Sequence, residues 1–248
     1  MDYCLKSDIG LVRPENQDRV SFISKEKWVL ATLCDGMGGH YGGAKCATLT
    51  IQYFEEFFKN NFPTNVIFND KKTINTWFID TMAYIKENLS SFVKMEPTFE
   101  DMGTTLTAAL IYLDEKEIYV FNVGDSRTYI YNGYLHQVTE DQNLKNELLR
   151  AGEINLRQAQ KLYDGNKLTS CIGPKKVMNP EGIIYKKDSN PQYIILTSDG
   201  LHDFIEKPLF ERVIQNMTTS IEEKATQLID YAKLNGSNDN ISVVIVEL

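Results

Sequence analysis

The residues of this sequence best suited to chemistry are carboxylates at the ends of apolar strands. Asp35 ends the run WVLATLC and precedes Gly36; Asp199 follows IILTS and precedes Gly200; Asp239 lies in GSNDN, just before a last apolar run. Each alone reads more simply as a turn residue. Together, and with Asp18 in RPENQD and Asp101 in EDMGTT, they point to a metal cluster, because like charges converge only where something cationic neutralises them.

The stretch LCDGMGGHYGGA around Asp35 sets five glycines beside one aspartate and one histidine. Glycine costs backbone entropy wherever it is ordered, so such a cluster implies a close approach to the backbone. A nucleotide's phosphates are excluded by spacing. Gly38 and Gly43 have the P-loop separation, but Ala44 stands where lysine is required. Gly36 and Gly38 are followed by Tyr41 at the place of the third glycine in a dinucleotide fingerprint. A strand-end aspartate followed by glycines instead presents a carboxylate and bare carbonyls to a metal ion.

Composition narrows the class. The 248 residues are 42% apolar, as a globular core requires, and carry a net charge of −8, which argues against a nucleic-acid backbone as partner. The start, MDYCLKSDIG, lacks the apolar core of a signal peptide, and no stretch reaches the roughly 20 apolar residues of a membrane span. Cys4, Cys34, Cys46 and Cys171 show no C-x-x-C spacing and read as reduced thiols, so a cytoplasmic protein without a membrane partner is expected.

The elements that must position the carboxylates follow from periodicity. Apolar residues at helical spacing predict helices over about 42–60 and 72–94, and another over about 220–234. The aromatic stripes of the first two are core faces. After the second helix come short strands, TTLTAALIYL, EIYVFNVG, RTYIYNG and YLHQVT, separated by turns at Asp114-Glu115, Gly124-Asp125 and Asn132-Gly133. The Asn-Gly pair is a strong hairpin signal. Residues 143–170 read as helix and loop, and YIILTSDG and NISVVIVEL as further buried strands. Helices and antiparallel strands in separate blocks make the class α+β. No linker or repeat divides the chain, so 1–248 is expected to be one domain.

The order of motifs is more specific. RPENQD, DGMGGHYGGA, MGTT, VGDSR, LTSDGL and NDNISVV follow one another as in the metal-dependent Ser/Thr protein phosphatases of type 2C, in their bacterial form. The chain resembles that family over nearly its whole length, and residues 143–170 resemble the family's flap. The resemblance implies a four-layer αββα sandwich, two stacked antiparallel sheets flanked by pairs of helices, with the active site at one edge. It implies hydrolysis of phosphoserine and phosphothreonine on proteins by a water activated by two metals, about 3.5–4 Å apart in such sites. An all-oxygen donor set suits Mg²⁺ or Mn²⁺ over zinc.

Carried over by motif, Asp35 would bridge the two metals, Asp199 and Asp239 would hold the first, and the Gly36 carbonyl the second. Asp18 would orient a water beside them, and Arg13 would grip the substrate phosphate with its planar fork. His40 is the candidate to protonate the leaving oxygen, or else is packed over the loop. Asp101 with Asp199 resembles a weaker third metal site, or else is a solvated acid. Asp125 and Arg127 of GDSR read as mainly structural, and His136 and His202 have no motif support. The implied partners are phosphoproteins and a Ser/Thr kinase acting on the same targets; a monomer is expected.

Rival phosphatases fall by counting. No cysteine is followed six residues later by arginine, no Asp-x-Asp pair occurs, and three histidines are too few for a histidine-rich dinuclear centre. A catalytically weak adaptor that binds phosphoproteins on the same fold is the alternative, and it would be expected to have lost metal carboxylates that remain here. EDQN stands where the family often has an Asp-His-Ser stretch, and LTSCIG where LTRALG is common.

Overall fold

The computed structural model describes residues 1–37, 42–65, 70–185 and 190–248. In chain order the strands are β1 (Tyr3–Asp8), β2 (Arg19–Lys25), β3 (Trp28–Cys34), β4 (Gly36–Met37), β5 (Gly103–Thr104) and β6 (Leu106–Tyr112). They continue with β7 (Glu117–Val123), β8 (Arg127–Tyr131), β9 (Leu135–Gln137), β10 (Glu181–Tyr185), β11 (Tyr193–Thr197) and β12 (Ile241–Glu247). The helices are α1 (Gly42–Asn61), α2 (Lys71–Met95), α3 (Leu144–Arg150), α4 (Leu156–Ala159), α5 (Asp199–His202), α6 (Lys207–Gln215) and α7 (Ile221–Leu234).

Two five-stranded sheets, β1-β12-β11-β8-β9 and β10-β7-β6-β3-β2, carry the fold, with β4 and β5 as a small separate pair. Every pairing is antiparallel. The alternation of side chains explains why β3 is one unbroken apolar run. Trp28, Leu30 and Cys34 face a cluster under α1 and α2, while Val29, Ala31 and Leu33 face the opposite sheet. A strand buried on both faces has no polar side to alternate with. β12 does the same, with Val243 and Ile245 packed towards α7 and Val244 and Val246 between the sheets.

The outer layers follow the same logic. On α1 the buried Ala47, Ile51, Phe54 and Phe58 recur at three- and four-residue spacing; on α2 Ile74, Phe78, Met82, Ile85 and Leu89 do so. Phe78 stacks on Phe121 of β7 at a centroid distance of 4.0 Å. Truncating either ring would cost about 3–5 kcal/mol. On the other side α6 and α7 cover the β1-β12-β11-β8-β9 sheet, and α7 opens with a capping box between Ser220 and Glu223. The expected four-layer αββα arrangement is the one found.

Six elements were not expected: β1, β2, β4, β10, α5 and α6. β1, β2 and β10 are edge strands, half exposed and mixed in polarity, so they lack the continuous apolar run that marks an interior strand. α6 is short and buries only Phe210, Val213 and Ile214. The Gly124-Asp125 turn also does more than join neighbours. β7 and β8 lie in different sheets, so the chain crosses there from one layer to the other. The Asn132-Gly133 signal gives the β8–β9 hairpin, with Gly133 at φ +103°.

Candidate active site

Asp35 leaves β3 at the sheet edge, and its backbone is fixed on both sides. Its N–H donates to Thr105 Oγ1 at 3.0 Å, and its carbonyl accepts from the Thr105 N–H and Thr104 Oγ1, both at 2.8 Å. Gly36 and Gly43 are needed for backbone against backbone. A Cβ on Gly36 would lie 2.5 Å from the Gly43 carbonyl and 2.7 Å from that of Gln17. This corrects the expectation that the glycines serve mainly an approach to metal.

Asp239 is brought in by the residue that follows it. The Asn240 side chain accepts from the Gln17 N–H and donates to the carbonyls of Ile9 and Glu15, each at 2.9 Å. The loop over residues 9–17 is thereby stapled to the start of β12, and Arg13 reaches Asp239, with Nη2 to Oδ2 at 2.6 Å. Asp199 opens α5 at the end of β11, and Asp18 lies almost fully buried just before β2.

Arg13, Glu15, Asp35, Gly36, Asp125, Lys167, Asp199 and Asp239 share the wall of a cleft of about 730 Å³. Burial and the neighbouring Asp18 and Asp199 hold the Asp35 carboxyl well above the usual carboxylate range. Asp18 is pushed up to about 7 by burial and by Asp199 and Asp239, against hydrogen bonds from Ser242 and Ser198. Asp199 is raised to about 6 by burial and then by Asp239 and Asp203, while a hydrogen bond with Asp35 pulls it down. Asp18 Oδ2 and Asp199 Oδ1 are buried without a hydrogen-bond partner. Desolvated carboxylates that repel one another and leave oxygens unpaired are what a divalent cation relieves. The donor set, oxygen throughout, fits Mg²⁺ or Mn²⁺. Among the described residues no three acidic, cysteine or histidine side chains already close into a cage; the carboxylates ring an open cleft.

Arg13, Asp35, Gly36, Asp199 and Asp239 therefore meet at one cleft, with Asp18 buried beside it. Asp101 does not join them: it is exposed on the turn before β5 and absent from the cleft wall. His40 lies outside the described residues. The reading of Asp125 as mainly structural is corrected, because its carboxyl faces the cleft and is raised to about 7 by burial and by Asp199 and Asp141. The signal was available, since Asp125 follows an apolar strand beside a glycine just as Asp35 does. Arg127 is structural: it grips Asp141 through Nε at 2.8 Å and Nη2 at 2.7 Å. His202 is buried against Thr197 Oγ1 at 2.8 Å and is held neutral by burial, with Arg127 and Lys145 adding to the effect.

The unusual EDQN and LTSCIG stretches hold the segment between them. Asn143 caps α3 and bridges to Leu168, the Thr169 N–H donates to the Gln142 carbonyl, and Ser170 Oγ accepts from the Asn179 N–H. Asn166, Lys167 and Leu168 thereby reach the cleft wall.

Residues 14–233 match the protein phosphatase 2C family. The chain belongs to that family. It is 30% identical to the serine/threonine phosphatase stp of Listeria innocua, over 98% of this chain and 94% of the relative. Serine/threonine phosphatase Stp1 from Staphylococcus aureus superposes with a TM-score of 0.87 at 27% identity, covering 100% of this chain and 95% of that one. The catalytic domain of PstP in complex with two manganese ions gives a TM-score of 0.77 at 27% identity, covering 99% and 97%. The enzyme class expected from the sequence, a protein-serine/threonine phosphatase, is the class of these type 2C relatives.

Proposed function

We propose that this type 2C phosphatase hydrolyses phosphoserine and phosphothreonine on proteins, with two divalent cations held by Asp35, Asp199, Asp239 and the Gly36 carbonyl. The observation that carries the reading is the convergence of three strand-end aspartates with Arg13 on one cleft. When bound, Mn²⁺ or Mg²⁺ supplies charge neutralisation and a water acidic enough to attack at neutral pH.

The chain's own residues do the rest. Arg13 offers the phosphate a planar fork of donors, a geometry that a lysine cannot match. Asp18, adjacent to Asp199 and Asp239 and with one oxygen free of partners, accepts a hydrogen bond from a water in the cleft and orients it. His40 is assigned the proton that the departing serine or threonine oxygen takes up. The wall that Asn166, Lys167 and Leu168 contribute is where residues flanking the phosphate lie, so residues 143–170 are proposed as the substrate-facing part of a single domain over 1–248.

A phosphoprotein-binding adaptor is not favoured, since the carboxylates such a protein could dispense with are intact. The substrates are proposed to be targets of a Ser/Thr kinase in the cytoplasm; among the described residues no helix is long and apolar enough to cross a membrane. The deciding experiment is phosphate release from a phosphothreonine peptide with Mn²⁺, without it, and after EDTA. Release that persists undiminished in EDTA would overturn the metal assignment, and no release under any condition would overturn the enzyme.

A further inference from the structure

We propose that Gln142 is a positioning residue of the phosphatase, tying residues 143–170 to the turn that carries Asp125 and, through Gly124 and Thr105, to Asp35. The inference rests on the reading above. Gln142 is 6% exposed and its side-chain amide is used at both ends. Its Oε1 accepts from the Gly124 N–H at 2.9 Å, and its Nε2 donates to the Asn179 carbonyl at 2.9 Å. One partner is a donor and the other an acceptor, so the amide has a single satisfactory orientation. The Gln142 backbone repeats the tie: its N–H donates to the Gly124 carbonyl at 3.0 Å, and its own carbonyl takes the Thr169 N–H at 3.0 Å.

The contact continues towards the chemistry. Gly124 sits at φ +106°, and a Cβ there would lie 2.7 Å from Thr105 Cγ2. Thr105 in turn exchanges hydrogen bonds with the Asp35 backbone and lies 2.6 Å, Oγ1 to Oγ, from Ser126. Gln142, Gly124, Thr105 and Asp35 thus form one packed and hydrogen-bonded row, with Asp125 attached directly to its second member. The two ends of residues 143–170 meet in Gln142. Losing its amide leaves the fold's cores and the backbone ties in place, but strips the buried Gly124 N–H of its partner at the turn that aims Asp125 into the cleft.

The test uses the full chain with Mn²⁺ and an aryl phosphate. Gln142→Met keeps the side-chain length and removes both amide bonds. Its kcat should fall about tenfold or more, the usual effect of losing a residue that orients a metal site, with KM within about twofold and a weaker Mn²⁺ isotherm by calorimetry. Gln142→His at pH 8, with one acceptor and one donor nitrogen, should recover most of both. A Gln142→Met protein with a lower melting temperature but wild-type kcat and Mn²⁺ isotherm would reduce Gln142 to a structural part and overturn the proposal. If that variant does not fold, Gln142→Asn, one methylene too short to span both partners, is read in the same way. Wild type serves as the separate control: its inactivity would refute the phosphatase reading, whereas an active wild type with an unaffected variant refutes only the role of Gln142.

Discussion

Arg13 Nη2 lies 2.6 Å from Asp239 Oδ2, at the mouth of the cleft. The pair joins a candidate phosphate ligand to a candidate metal ligand. With side-chain exposures of 51% and 29%, it contributes only ~0–1 kcal/mol to stability, so a stability role does not account for its place. Arg13→Ala should leave the melting temperature within a degree or two. Its KM for a phosphothreonine peptide should rise about tenfold, with a smaller fall in kcat, as expected for binding shared by ground and transition states. Steady-state kinetics at saturating Mn²⁺ decide it, and an intact kcat/KM would return Arg13 to the surface.

Asp239→Asn tests the cation side of the same contact. The turn is held by Asn240 and by Gly10, whose Cβ would meet the Asp239 carbonyl at 2.1 Å, and neither tie needs the Asp239 charge. Turnover should fall by about 100-fold or more while thermal stability without metal stays level or rises, since one charge leaves a repelling group. Unchanged turnover at saturating Mn²⁺ would remove Asp239 from the ligand set.

The parts legible from sequence are those where the chain speaks locally. β3, β6, β7, β11 and β12 were visible because burial on both faces leaves long apolar runs, and α1, α2 and α7 because one face is buried at helical spacing. The edge strands β1, β2 and β10 were not, since half their surface answers to solvent. Asp35, Asp199 and Asp239 stand out as charges at the ends of apolar runs, and Asp125 carries the same mark. Gln142 and Asn240 were beyond reach. Their partners are backbone groups of Gly124, Asn179, Ile9, Glu15 and Gln17, and only the fold brings those near.

The cleft carboxyls predict how the metal-free protein responds to pH. Asp18 and Asp125 are raised to about 7 and Asp199 to about 6, by burial first and neighbouring acids second. A carboxyl that binds its proton more tightly when folded contributes stability that is complete below its unfolded value, about 4. That contribution is lost as pH rises through the folded value. The melting temperature without metal should therefore fall between pH 5 and pH 8 by several degrees, at ~2–4 °C per kcal/mol. Mn²⁺ should raise it more at pH 8 than at pH 5, because the ligands must be ionised to bind. A metal-free protein that gains stability from pH 5 to pH 8 would contradict the crowding of these acids.

His40 can be separated from the metal ligands by the choice of leaving group. An aryl phosphate departs as a stable phenolate and hardly needs a proton, whereas a serine alkoxide is a poor leaving group. If His40 donates that proton, His40→Ala should damage phosphopeptide hydrolysis far more than aryl phosphate hydrolysis. Weakening the metal site, as in Asp239→Asn, should damage both alike. The ratio of the two losses therefore carries the information, and general acid catalysis of this kind is worth about 10²–10⁴-fold. The measurement is kcat for both substrates, in wild type and variant, at saturating Mn²⁺. Equal losses would make His40 a residue that supports the Asp35 loop and donates no proton.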